Sequence, residues 1–221
     1  YHDPSRAAIK RAKRTLVLLG AMTFDGEVTN IGRAMEHFPV ESSFGRMLVE
    51  IQPEDESVRG KLATMIAIQE VGGIVRSTVS GISWRSLTSE KQSDFLAQYD
   101  IYRGALELSD EDRETMGIIT KQIDKATEVR KRLYRDLGLV LTPPEPVAND
   151  ERPKLLRAII AGQLHHHGAR FDKGSGKLDP SPFTEGHRFI HHRGLGLGEG
   201  HLLACDSIGQ QLFGHRVPFQ G

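Results

Sequence analysis

Apolar residues recur at helical spacing through most of the chain, and the breaks between the periodic stretches carry turn and capping residues. Ala8, Ala12, Thr15, Leu16 and Leu19 fall on one helical face in "RAAIKRAKRTLVLLG". Asp3-Pro4-Ser5 stands ahead of this helix as its cap, and Gly20 behind it as its stop. In "AMTFDGEVT", Met22 and Phe24 precede and Val28 follows Asp25-Gly26, a dipeptide suited to the positive φ angles of a tight hairpin, which predicts a small wing. Thr29 or Asn30 caps a helix through His37 that Pro39 ends, and "SSFGRMLVEIQ" gives another short helix before Pro53.

From Asp55 to about Leu139 the pattern is helical, with a break at Gly72-Gly73 and a Ser/Gly-rich stretch to Ser83 that reads as a loop or short strand. Two long helices are predicted, "SLTSEKQSDFLAQYDIYRGALEL" and "MGIITKQIDKATEVRKRLYRDLG". The proline-rich "VLTPPEPVANDERP" follows as a connector, then a last helix, "KLLRAIIAGQLHHHG". After Gly168 the stretches "HRFIHH", "HLLAC" and "HRVPF" alternate with Gly-rich turns and read as small β structure.

Composition narrows the classes. Lys plus Arg and Asp plus Glu are 29 each, so no global field draws the chain to nucleic acid, and any such contact must be local. The single Cys205 excludes an internal disulfide or a multi-cysteine zinc site. The longest apolar run, around Leu16–Leu19, is too short to span a bilayer and no basic-then-apolar leader opens the chain, so an intracellular, cytoplasmic protein without a membrane partner is expected. A start at Tyr1 and an end in strand-like sequence suggest a piece of a longer polypeptide.

Motifs for catalysis are weak. "KGSGKL" (Lys173–Leu178) has Phe171 where a P-loop needs its first Gly, and Leu178 where magnesium needs a hydroxyl, so a surface turn is the better reading. "GLGLGEG" (Gly194–Gly200) puts Glu199 at the third glycine of the dinucleotide fingerprint and reads as a loop. Eight of the ten histidines lie between His165 and His215. The adjacent His165, His166 and His167 point about 100° apart on a helix and His191-His192 to opposite faces of a strand, so neither set chelates. No catalytic residue, metal site or cofactor is assigned.

The helix from Met116 to Gly138 is more informative. Ile119, Ile123, Ala126 and Leu133 form an apolar stripe, with Lys121, Lys125, Arg132 and Arg135 gathered opposite as candidate phosphate contacts. A plain solvated face is the competing reading. Arg130 falls within roughly 20° of Ile119, inside the stripe, where an unpaired guanidinium is costly, so a buried partner is expected: an acidic side chain such as Asp94, or helix-end carbonyls.

These residues resemble the helicase-associated region that follows the motor domains of DEAH-box helicases. The elements that carry the likeness are Leu16, Leu19-Gly20-Ala21, Asp25-Gly26, Val28-Thr29, Gly32-Arg33, Phe38-Pro39 and Met47-Leu48. Ser93, Asp94, Leu96 and Tyr102 match the family's S-D-H-L helix, with Phe95 in place of His. Val129, Arg130 and Leu133 match a V-R-x-Q-L motif, with Arg132 in place of Gln, and Ala161-Gly162 matches the segment before the C-terminal OB-fold.

The resemblance implies a fold that is mainly α with small β parts (α+β). It divides the chain into a partial winged helix over residues 1–52, incomplete at its N-terminus, a helical ratchet-like bundle over 53–168, and an incomplete or divergent OB-like β tail over 169–221. It implies a bacterial-type, non-catalytic accessory region of an ATP-dependent RNA helicase, with the motor domains of the same polypeptide and single-stranded RNA, or DNA, as partners. ATP and magnesium would belong to the parent protein, and no ATPase activity is expected of this chain alone. A free-standing winged-helix regulator and a protein-interaction scaffold are the alternatives.

Overall fold

A computed structural model describes residues 3–76 and 83–163, together with four short strands beyond them. Eight α-helices make up the described body: α1 (Arg6–Leu18), α2 (Asn30–Glu36), α3 (Ser42–Glu50), α4 (Glu56–Glu70), α5 (Asp94–Leu106), α6 (Asp110–Thr115), α7 (Thr120–Asp136) and α8 (Glu151–Gln163). A 3-10 turn, Trp84–Leu87, precedes α5. No helix among the described residues is long and apolar enough to cross a membrane.

Several helix ends follow from local chemistry. The hydroxyls of Ser5, Thr29 and Ser93 accept the N–H groups of Ala8, Gly32 and Leu96, so each satisfies a donor that has no partner inside its helix. At the end of α1, Gly20 takes a φ of +70°, and the N–H groups of Gly20 and Ala21 fold back on the carbonyls of Val17 and Leu16. The Thr29 hydroxyl also donates to the Gly20 carbonyl at 2.6 Å, which ties the stop of α1 to the start of α2.

The α+β expectation is corrected here. The Asp25-Gly26 turn forms, with the Thr23 N–H donating to the Glu27 carbonyl at 2.8 Å and Gly26 at a φ of +93°. Its arms, however, meet in one isolated bridge, Met22 with Val28. The stop of α1 at Gly20 and the capping of α2 at Thr29 leave only two or three residues on either arm of the turn, so no wing is built. Beyond Gln163 the described residues form only two antiparallel pairs, Arg170–Phe171 with Leu178–Asp179 and His201–Ala204 with Phe213–Arg216. Strands of two and four residues in separate pairs do not make the five-stranded barrel of an OB-fold. The rest of the segment expected as an OB-like tail, residues 169–221, lies outside the described residues.

The main apolar cluster joins helices from distant parts of the chain: Met47 and Leu48 of α3, Leu62 and Ile66 of α4, Leu96 and Tyr99 of α5, Leu133 of α7, and Leu155 and Ile159 of α8. Residues on both sides of the 52/53 boundary thus share one core. A second cluster holds Ile68, Ile101, Tyr102, Ile118 and Ile123, and a third, smaller one seats Leu19 against Met35. Where α8 crosses α3, a Cβ on Gly162 would overlap the Ser43 carbonyl oxygen and the Met47 side chain. The crossing therefore needs glycine.

Two charged groups are buried in this body as a pair. Lys61 Nζ on α4 lies 2.7 Å from Glu151 Oε1 in the first turn of α8, and Glu151 also accepts from Ser57 Oγ (2.6 Å) and the Ala148 N–H (2.8 Å). Burial pushes the Glu151 carboxyl up, but the hydrogen bonds from Lys61, Ser57 and Ala148 outweigh it and hold the carboxyl below its ordinary value of 4.5.

Gly162→Ala is expected to lower the unfolding free energy by about 1–3 kcal/mol through overpacking at the α3–α8 crossing, measured by urea denaturation. Because the folded carboxyl of Glu151 titrates below the unfolded one, its stabilisation is complete above pH 4.5 and is lost as pH falls through the lowered folded value. Glu151→Gln, which leaves Lys61 buried without its counter-charge, should cost about 3–5 kcal/mol at pH 7. Its deficit relative to the parent chain should narrow as acid denaturation is followed below pH 4.5.

Candidate nucleic-acid interface

Helix α7 is amphipathic as its sequence predicts. Ile123, Ala126, Arg130, Leu133 and Tyr134 are buried, while Ile119 is the half-buried residue at the N-cap. Tyr134 closes the stripe on the side that faces α4, where its hydroxyl approaches Gly60. On α5, the Tyr102 hydroxyl pairs with Thr127 Oγ1 at 2.8 Å and fixes the flank of α7.

Arg130 is buried at 5% exposure and is hydrogen-bonded there, but to neither an acid nor a helix-end carbonyl. Its Nε donates to Thr64 Oγ1 on α4 at 3.0 Å; its Nη2 donates to the Tyr134 hydroxyl at 3.3 Å and to the Thr142 carbonyl. The guanidinium carbon stands 4.5 Å from the centroid of the Tyr134 ring. Thr142 belongs to the connector, so the accepting carbonyl comes from a non-helical segment and not a helix end. Asp94 is exposed in the first turn of α5 and makes no hydrogen bond to Arg130.

The connector is held at further points. The Tyr99 hydroxyl donates to the Glu145 carbonyl at 2.8 Å, and Arg103 Nε donates to the Pro144 carbonyl at 3.1 Å. Prolines remove donors and fix φ, so residues 139–148 form neither helix nor strand, and Thr142, Pro144 and Glu145 offer their carbonyls to the helices beneath.

The outer face of α7 divides into two halves. Lys121 and Lys125, one turn apart near the amino end, are exposed and make no ion pair among the described residues. Toward the carboxyl end the cations are compensated: Arg132 Nη2 lies 2.8 Å from Glu70 Oε2 of α4, Lys131 Nζ 2.7 Å from Glu128 Oε1, and Arg135 Nε 3.6 Å from Asp136 Oδ1. The four predicted contacts thus share a helix but not an electrostatic state. The Glu70 partner sits 62 residues away in sequence, where a helical wheel of α7 has no view of it.

The other residues singled out in the first fifty positions sit around the turn between α1 and α3. Asp25 and Gly26 form the exposed tip, Gly20 and Gly32 line the close approach of α1 to α2, and a Cβ on Gly32 would overlap the Ala21 carbonyl oxygen. Arg33 is exposed and its Nη2 lies 3.5 Å from the Val28 carbonyl. Pro39 is exposed between Phe38 and Val40, which rest against the main core.

A groove of about 480 Å³ opens between the start of α5, the connector and α8, lined in part by Glu90, Gln92, Asp100, Val147 and Arg152. Its carboxylates are already engaged. Glu90 accepts from Arg152 and from the N–H groups of Gln92 (2.7 Å) and Ser93 (3.2 Å), which outweigh the upward push of burial and lower its carboxyl. Asp100 accepts from the Thr88 hydroxyl at 3.0 Å, with burial pushing its carboxyl up. These pairings cap α5 and seat α8, so Glu90 and Asp100 serve the packing of the helices. No group of three or more potential metal ligands occurs among the described residues; of the eight histidines between His165 and His215, His201 and His215 stand in the paired strands and the other six lie outside the described residues.

No family model matches the chain.

Arg130→Ala is expected to cost about 2–4 kcal/mol, since it leaves Thr64 Oγ1 and the Thr142 carbonyl without their charged donor. Residues 140–147 should then gain protease sensitivity before α4 or α5 does. Arg130→Lys should restore little of this, because an ammonium cannot reach Thr64 and Thr142 with one planar fork.

Proposed function

We propose that the chain is a non-catalytic accessory region of an ATP-dependent RNA helicase, which packs on the motor domains and helps to hold single-stranded nucleic acid in the cytoplasm. The observation that carries this reading is the state of α7. Its inner face is locked by Arg130, Leu133 and Ile123, and its outer amino-terminal half offers Lys121 and Lys125 without competing carboxylate pairs. Two cations one turn apart on a rigid element suit contact with phosphates and read no bases. The sequence likeness at Gly20-Ala21, Gly32-Arg33, Ser93-Asp94 and Val129-Arg130 supplies the parent class.

Contact at this face belongs to the two lysines more than to Arg132 and Arg135, since an exposed cation already paired must give up its partner to bind a phosphate. The double substitution Lys121→Gln/Lys125→Gln should weaken binding of an oligouridine 20-mer at low salt. It should also reduce the slope of log affinity against log salt by about 1.4, near 0.7 for each single-strand phosphate no longer neutralised. Fluorescence anisotropy over a salt series reads both quantities. Unchanged affinity and slope in a folded double variant would sink the proposal.

A further inference from the structure

The strongest uncompensated charge in the described molecule is not on α7 but on α1. Arg6, Lys10, Arg11, Lys13 and Arg14 fall within nine residues that contain no acid. All five are exposed, and none makes an ion pair or side-chain hydrogen bond among the described residues. The whole chain is formally neutral, so the remainder carries an equal excess of acid and α1 is a local positive pole.

The helix holds this charge in a defined shape. At 100° per residue the five cations occupy an arc of about 160°, and Ala8, Ile9, Ala12, Thr15, Leu16 and Leu19 lie on the complementary side. Only the carboxyl end of that apolar side is covered: Leu19 is buried against Met35, and Leu16 packs beside Ile31. No residue of α1 itself is fully buried, and Ile9 is 42% exposed. The first two turns therefore project from the body, held at one end by the Gly20–Thr29 junction.

We propose that the cationic arc of α1 is a docking site for the phosphodiester backbone of nucleic acid. Charge complementarity selects this occupant. Arg6 to Arg14 span about 12 Å of helix axis, a length over which a duplex presents about seven phosphates. The uncovered apolar side offers Ile9 with two alanines, too little area to anchor a lipid-inserting helix, which needs several large apolar side chains on that face. Ser5 caps the helix, so the arc is preformed, and the recognition is blind to base sequence. The ligand class is shared with the α7 reading, but the residues are separate and this site does not depend on that one.

The test uses the full 221-residue chain and the triple substitution Lys10→Gln/Arg11→Gln/Arg14→Gln, at positions that pack on nothing. Affinities for an oligouridine 20-mer and for a 20-base-pair DNA duplex are measured across a salt series, beside the α7 double variant and an Ile9→Ser control. The expected result is at least a tenfold loss of affinity at low salt for the preferred nucleic acid. The salt slope should fall by about 2 for the single strand or about 3 for the duplex, with an unchanged thermal midpoint. Ile9→Ser should bind as the parent does. Nucleic-acid binding that survives the triple substitution overturns the α1 site, and if the α7 variant alone loses binding, the α7 reading stands without it. A triple variant that loses only binding to phosphatidylserine vesicles overturns it in favour of a membrane surface. Loss in Ile9→Ser with retention in the triple variant overturns it in favour of a partner seated on the apolar side.

Discussion

Helix α4 is enclosed on every side, and the rest of the body is arranged to keep it so. Every residue from Gly60 to Ile68 is buried, which is the state of a helix at the centre of a bundle and not on its surface. Two of those residues, Lys61 and Thr64, bring polar atoms into the interior and must be satisfied there. Each does so by drawing in a different part of the chain. Lys61 takes the Glu151 carboxylate and thereby fixes the first turn of α8. Thr64 takes Arg130, and Arg130 in turn takes the Thr142 carbonyl, so one hydroxyl links α4 through α7 to the connector. Apolar burial drives the assembly. The two polar links set which helix lies where.

Much of the helical body was legible because its signals are local. Ser5, Thr29 and Ser93 act as caps, Gly20 as a stop, and the stripe Ile123, Ala126, Leu133 faces inward. Arg130 could be read as buried from its place in that stripe. Its partner could not, because Thr64 lies 66 residues away and Thr142 acts through a backbone carbonyl that no sequence pattern marks. The same limit explains Arg132: the wheel shows its direction but not Glu70 waiting there. The wing failed for a different reason. Asp25-Gly26 specifies a turn and says nothing of arm length, and here the flanking helices consume the arms. Helix α6 falls in the gap between the two long helices read from the sequence, where Ser109 caps a single short acidic stretch with no apolar periodicity to mark it.

The distribution of charge follows the same division between local and distant. On α7, the carboxyl-terminal cations are spent on structure: Arg132 holds the end of α4 and Lys131 pairs within its own helix. On α1 the stretch Arg6–Arg14 contains no acid, and none pairs with it through the fold among the described residues. A chain with zero formal charge can therefore present a positive end. Overall charge balance gave no hint of this, whereas the spacing of five cations without an acid does.

The segment between α7 and α8 has a consequence for how the chain tolerates change in length. Surface connections ordinarily absorb an extra residue with little penalty. This one is fastened by carbonyl oxygens at Thr142, Pro144 and Glu145 to side chains from two different helices, and at Ala148 to the carboxylate that opens α8. Its prolines hold φ fixed between these anchors, so it works as a ruler between fixed pegs. One residue more or fewer would put every peg out of step, and the proline-rich stretch that looks most like a spacer is the part of the surface with the least slack.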